Sequence, residues 1–394
     1  MLTGDFTQSN NIPEKFDYSN EPVRSSELIV QKDQPFNAEP ALNSLIQHYV
    51  TPTDVFFKRN HGPIPLIEHD SYTFQVDGIV EKPLIVDLNT LKQNFKKHEV
   101  VAVIQCAGNR RDGLAKVKKV KGVIWGPGTV GNAVWAGARL CDVLRAAGVS
   151  MDLSNPIVSQ LHVSFEAYGK SEEDTCYGSS IPLEMAINPA NDVLLAYEMN
   201  GCELTRDHGF PCRVIVPGVI GARSVKYLRK ITIQNEESQS FYQKMDYKVL
   251  PPYVNEDNAN EWWDKMAALQ EMIIQSVICE PCSGQVLPPG PVTIRGYALC
   301  GGGKGVDRVD VSVDNGQTWL ETTKYQAATR SKYYAWCLWT TTVDSIPDGG
   351  KIICRAFDTC GNTQPEFPIW NFRGVMNNSW FVVENLRQQS NTKL

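Results

Sequence analysis

Between residues 292 and 343 the chain alternates apolar and polar residues in runs such as "VTIRGYALC", "VDVSVDNGQTW" and "YYAWCLWTTTV", separated by Gly-, Asn- and Pro-rich turns. A period of two sends successive side chains to opposite faces of a strand, so these runs must pair into sheets with one face covered. Asn315-Gly316 supplies the two positive φ angles that a tight hairpin turn requires. Short strands at this spacing predict an immunoglobulin-like β-sandwich over residues 267–394. A module of this kind usually serves association rather than chemistry.

Upstream the texture differs. In residues 41–266 the strand-like runs "SYTFQVDGIV", "HEVVAVIQC", "PIVSQLHVSF" and "PCRVIVPG" alternate with helical or turn segments, and "PPYVNEDNANEWWDKM" closes the region as a linker. In "AGARLCDVLRAAGV" Leu140, Val143, Leu144 and Ala147 fall on one helical face, with Gly148 placed to cap the C-terminus. This order predicts a mixed α/β domain of the α+β class. Residues 1–40 read as an extended arm.

The net charge of −6 lacks the basic stripe of a nucleic-acid binder, so an anionic substrate would have to be captured by local positive charge. No apolar run reaches the length of a membrane span. The polar N-terminus carries Asp5, Glu14 and Asp17, which argues against a signal or transit peptide. Eleven scattered cysteines suggest reduced thiols in an intracellular protein, and the Cys279/Cys282 pair lacks the partners of a zinc site. The final "TKL" resembles the peroxisomal address SKL; cytoplasm and the mitochondrial intermembrane space are the alternatives.

Arginine marks the candidate chemistry. "FFKRNHGPIP" carries Arg59 and His61, "QCAGNRR" carries Arg110 and Arg111, and "RDHGFPCRVIVPGVIGARSVK" carries His208, Arg213, Arg223 and Lys226. Guanidinium forks suit tetrahedral oxyanions, and the neighbouring glycines let backbone N–H groups approach an anion. Cys106, at the end of the run "VVAVIQC", is by these patterns alone either a buried structural thiol or a ligand to a metal that brings most of its ligands on a cofactor. A lone thiolate is too few for zinc or iron–sulfur, and no histidine frames it as a hydrolase nucleophile.

These segments, with "GNAVWAGARLCDVL", "NDVLLAYEMNG", "EESQSFYQKMDYK" and "NFRGVMNNSW", resemble in order the sulfite oxidase family of molybdenum enzymes, across about residues 36–380. The resemblance implies a molybdopterin-binding domain followed by a dimerisation domain, with homodimers formed through the latter. It implies molybdenum and molybdopterin as cofactors, with Cys106 as the protein's thiolate on the metal. Phe57, Lys58, Arg59, Asn60, His61, His208, Arg213, Ser224, Val225 and Lys226 would hold the pterin and its phosphate. Arg59, Arg111, Trp125, Tyr247 and Arg373 would line the sulfite pocket, with Lys121 nearest it in the basic segment "KVKKVKG". That segment is either a solvated loop or an electrostatic funnel for sulfite.

The activity so implied is two-electron oxidation of sulfite to sulfate. Nitrate reductases of the same family tend to have methionine in place of Arg373 and no equivalent of Tyr247, so a nitrate reductase fragment is the weaker alternative; a non-catalytic anion-binding protein of the same fold is the other. The chain has neither CxxCH nor the HPGG haem motif, which points to a haem-free, plant-type enzyme using O2 and releasing H2O2. Gly169 stands where the family generally places a pterin-binding aspartate, and Asp174 or a neighbouring acid is the candidate replacement.

Overall fold

The computed structural model of the chain describes residues 16–328, 332–347 and 349–388. The first domain is built on two sheets. In one, Val130–Arg139 lies between Lys97–Gln105 and Leu194–Met199, all antiparallel, and Arg213–Ile215 extends the pairing from Leu194–Met199. In the other, Leu228–Gln234 pairs parallel with Thr73–Gly78 and antiparallel with His162–Ala167. The helix Leu140–Ala146 buries Leu140, Val143 and Leu144 completely, and each such side chain contributes about 1.5–3 kcal/mol. Gly148, at φ +79°, stops it, its N–H donating to the Arg145 carbonyl.

The second domain is the expected sandwich. One sheet runs Gln275–Glu280, Val292–Leu299, Cys337–Val343, Thr323–Gln326; the other runs Leu320–Glu321, Val306–Ser312, Ile352–Asp358, Phe381–Val383. Ile294, Val309, Val311, Ile352 and Ala356 fill the space between them, fully buried. Asn315 and Gly316 take φ of 58° and 84°, as their sequence requires. Among the described residues no helix is long and apolar enough to cross a membrane, and the eleven cysteines are unpaired. "TKL" lies outside the described residues.

Two excursions tie the domains into one site. The connection between Ile352–Asp358 and Phe381–Val383 returns to the first domain. There Trp370 donates to the Lys118 carbonyl, Lys121 N–H to the Phe372 carbonyl and Met376 N–H to the Ala107 carbonyl. The segment read as an extended arm is, in its described part, a hairpin of Leu28–Lys32 and Asn37–Pro40. Glu39 explains why it is docked: its buried carboxylate accepts the backbone N–H groups of Gly126 (2.7 Å) and Gly128 (2.8 Å). Polar composition suggested an arm because these side chains are satisfied by distant partners that no local pattern shows.

Candidate active site

The strand Lys97–Gln105 delivers Cys106 to a tight turn. The Cys106 N–H donates to the Thr129 carbonyl at 3.0 Å, and the Gly108 N–H points at Sγ at 3.4 Å. Arg110 then adopts the left-handed conformation (φ 63°) at the start of the helix Arg111–Val117. This turn separates two adjacent arginines. Arg110 leaves toward the sandwich, where it donates to the Trp380 carbonyl (3.2 Å) and stacks 5.1 Å over Phe381. Arg111 stays beside Cys106, its Nε on the Gly374 carbonyl (2.9 Å) and its Nη1 on the Val123 carbonyl (2.6 Å).

Arg111 runs through a sleeve that only glycine permits. A Cβ on Gly108 would meet its guanidinium at 2.7 Å, one on Gly122 at 2.8 Å, and one on Gly374 its Cγ at 2.8 Å. Gly374 comes from the second domain and has φ +59°, a conformation that disfavours side chains.

A cleft opens beside Cys106. Of the residues proposed from sequence, Phe57, Arg59, Asn60, His61, Cys106, His208, Arg213, Ser224, Lys226 and Tyr247 line it. Six others do not. Lys58 lies behind it, donating to the Thr53 and Asp54 carbonyls and 3.0 Å from His208 Nε2. Val225 is wholly buried in the apolar core. Trp125 packs against the Cys106 side of the sheet, its indole N–H without a partner. Arg111 and Arg373 are buried next to one another, and Lys121 is exposed. The cleft also takes in Tyr177 and Asp207, which sequence patterns did not single out.

Electrostatics give the cleft its character. Burial, reinforced by Arg213, brings the Lys226 ammonium down to about 7. Burial likewise lowers Arg213 to about 10 and Lys58 to about 8, and it depresses His61 and His208 well below the usual histidine range. Arg213 Nε is buried without a partner. The lining carboxylate, Asp207, is held by Arg24 at 2.9 Å. A pocket of destabilised cations and an orphaned arginine N–H fits an anionic group such as a phosphate.

Beside Cys106, Arg111 lies close enough to Arg59 and Arg373 for both to oppose its charge, with the Asp246 carboxylate favouring it. Arg373 is ion-paired with Asp246, whose Oδ1 also accepts the Tyr247 N–H at 2.8 Å. Tyr247 sits at φ 50°, a conformation that typically costs about 1–3 kcal/mol unless neighbours enforce it. The neighbours here are Asp246, the Leu269 N–H on its carbonyl (3.0 Å) and His61 Nε2, 2.9 Å from its hydroxyl. Burial raises the phenol well above its ordinary range, so it is neutral.

Gly169 lines the cleft at φ +85°. The acids that follow are engaged elsewhere. Asp174 accepts the Phe241 N–H (2.8 Å), Glu172 pairs with Lys32 (3.0 Å) and Glu173 accepts from the Tyr242 hydroxyl (2.5 Å). Asp174 is therefore not a lining carboxylate; Asp207 is.

Among the described residues no group of three or more His, Cys, Asp or Glu is arranged to hold a metal. A metal at Cys106 would take its remaining ligands from a cofactor, and the cationic cleft suits a phosphate-bearing pterin. Comparison with known proteins agrees. Residues 61–242 match the oxidoreductase molybdopterin binding domain and residues 266–387 the Mo-co oxidoreductase dimerisation domain. The chain is 44% identical to a sulfite oxidase of Arabidopsis thaliana over 93% of its own length and 96% of that protein's. It is 45% identical to the mitochondrial sulfite oxidase of Homo sapiens over 93% of its own length and 67% of that protein's. With an NADH nitrate reductase of Arabidopsis thaliana the identity is 40%, covering 89% of the chain and 40% of that protein. Among solved structures the sulfane dehydrogenase SoxCD of Paracoccus pantotrophus superposes with a TM-score of 0.73 at 25% identity, over 94% of this chain and 90% of that one. The chain belongs to the sulfite oxidase family of molybdopterin oxidoreductases.

Proposed function

We propose that the protein oxidises sulfite to sulfate at a molybdenum–molybdopterin centre. The observation that carries this reading is the cluster of Arg59, Arg111 and Arg373 beside Cys106, three guanidinium groups near the Asp246 carboxylate that pairs with Arg373. Such an excess, sheltered from water, stabilises a small oxyanion far more than exposed charges would. Bound at Cys106, the cofactor supplies the oxygen atom and the two-electron redox change that convert sulfite to sulfate.

The chain's own residues do the rest. Lys226, Arg213, His208 and Ser224 hold the pterin and its phosphate at one end of the cleft. The three arginines draw the anion in and orient it. Tyr247, neutral and fixed by His61, presents its hydroxyl group as a donor to the anion, and the two loops that sheath Arg111 keep water from the charges.

O2 is the proposed acceptor, with H2O2 as product. Supporting this, the likeness to the Arabidopsis sulfite oxidase runs over 96% of that protein. Peroxide formation makes a peroxisomal reading of "TKL" the preferred one. The test is steady-state turnover of purified enzyme with sulfite, comparing O2 with cytochrome c. Oxygen uptake matched by peroxide is expected; turnover confined to cytochrome c would overturn the acceptor, and none with either would overturn the substrate.

A further inference from the structure

Arg59 owes its aim to a residue outside the matched domains. Its Nη1 donates to Oδ1 of Asn37 (3.2 Å) and to the Asn60 carbonyl (2.5 Å). Asn37 begins the second strand of the N-terminal hairpin and is completely buried. All its hydrogen-bonding capacity is used. Oδ1 also accepts the Asn60 N–H (3.0 Å), while Nδ2 donates to the carbonyls of Pro35 (2.7 Å) and Asn60 (3.3 Å). Asn60 in turn reaches back, its Nδ2 on the Phe36 carbonyl at 2.9 Å. The hairpin and the "KRN" segment are thus locked together around the guanidinium.

The chemistry of the partner is the telling point. A sheltered arginine is usually oriented by a carboxylate, which also cancels its charge. Both hydrogen-bond partners of Arg59 are neutral amide oxygens. They fix the fork without a direct ion pair; Asp246, which favours its charge through space, is itself paired with Arg373, and the guanidinium stays available to a ligand in the cleft that Arg59 lines.

We propose that Asn37 is a positioning residue that aims Arg59 at the substrate anion while leaving it free of a direct ion pair. The N-terminal hairpin is by this inference part of the active site, and its amide sets how tightly a divalent oxyanion is held. The inference rests on the sulfite reading above.

The test compares Asn37→Asp with Asn37→Ala in the purified, molybdenum-loaded enzyme. In Asn37→Asp the acceptor stays in place but carries a charge, so the KM for sulfite should rise at least ten-fold while kcat falls less than three-fold. The dissociation constant of sulfate, measured by calorimetry without turnover, should rise in parallel. In Asn37→Ala the charge of Arg59 survives and only its aim is lost, so KM should rise two- to five-fold. A purely structural brace would instead reduce the loaded fraction, lowering kcat per protein with KM unchanged. That outcome, or equal KM shifts in the two variants, overturns the proposal. Wild-type enzyme inactive toward sulfite would instead overturn the sulfite reading itself.

Discussion

Cys106, Tyr247 and Arg373 differ in what each loses when replaced. Cys106→Ser keeps the size and the buried turn, so the fold should persist by circular dichroism while activity and bound molybdenum are lost; full activity would remove the ligand assignment. Tyr247→Phe removes the hydroxyl bonded to His61 and should slow sulfite oxidation several-fold, checked by kcat under saturating sulfite. Arg373→Met leaves Asp246 buried without its cation, which typically costs about 3–5 kcal/mol. The variant is best read with Asp246→Asn added, whose Oδ1 still accepts the Tyr247 N–H. The pair should fold and show a sulfite KM raised at least ten-fold. A normal KM would place Arg373 outside the anion's reach.

Titration at this scale has a definite sign. The folded pKa of Lys226, about 7, lies below its unfolded value of 10.5, so between these limits the unfolded chain holds the extra proton. Stability of the cofactor-free protein therefore rises with pH across about 7 to 8.5, by up to about 1.4 kcal/mol per pH unit. Lys58, lowered to about 8, adds to the slope at the upper end. Thermal melts should show the rise, and Lys226→Met should flatten it. A slope unchanged in that variant would show that Lys226 does not carry the pH dependence.

Among the elements, the loops at 117–125 and 370–376 decide where Arg111 sits. Gly374→Ala would force a Cβ to 2.8 Å from the Arg111 side chain and 3.0 Å from Val120, at φ +59°. It should destabilise the protein by about 1–3 kcal/mol and raise the sulfite KM, measured by denaturation and kinetics together. The strands, the helix Leu140–Ala146 with its Gly148 cap and the Asn315-Gly316 turn were legible from periodicity and turn chemistry, because each is a local consequence of local residues. The cationic cleft was legible as arginines beside Gly and Pro turns. What escaped was long-range: Asn37 and Glu39 in an apparently featureless arm, Asp207 as the lining acid, and the core position of Val225. Each depends on partners that no spacing in the sequence brings together.

On the scale of the whole molecule, the second domain is matched as a dimerisation domain, yet it also contributes Arg373 and the Gly374 wall of the Arg111 sleeve. Association and chemistry therefore share one framework. The four lysines of "KVKKVKG" are exposed at this junction, one of them stacked on Trp370 at 4.5 Å. A Lys116→Glu/Lys118→Glu variant should lose a low-salt enhancement of the sulfite on-rate if they steer the anion; an unchanged rate would make the segment a solvated loop only. The central claim is that the arginine cluster at Cys106 serves sulfite. It is tested most directly by giving the purified, molybdenum-loaded enzyme sulfite with O2, and separately nitrate with a reduced dye. Stoichiometric sulfate from the first and no nitrite from the second is the predicted result; nitrite formation without sulfite oxidation would contradict it.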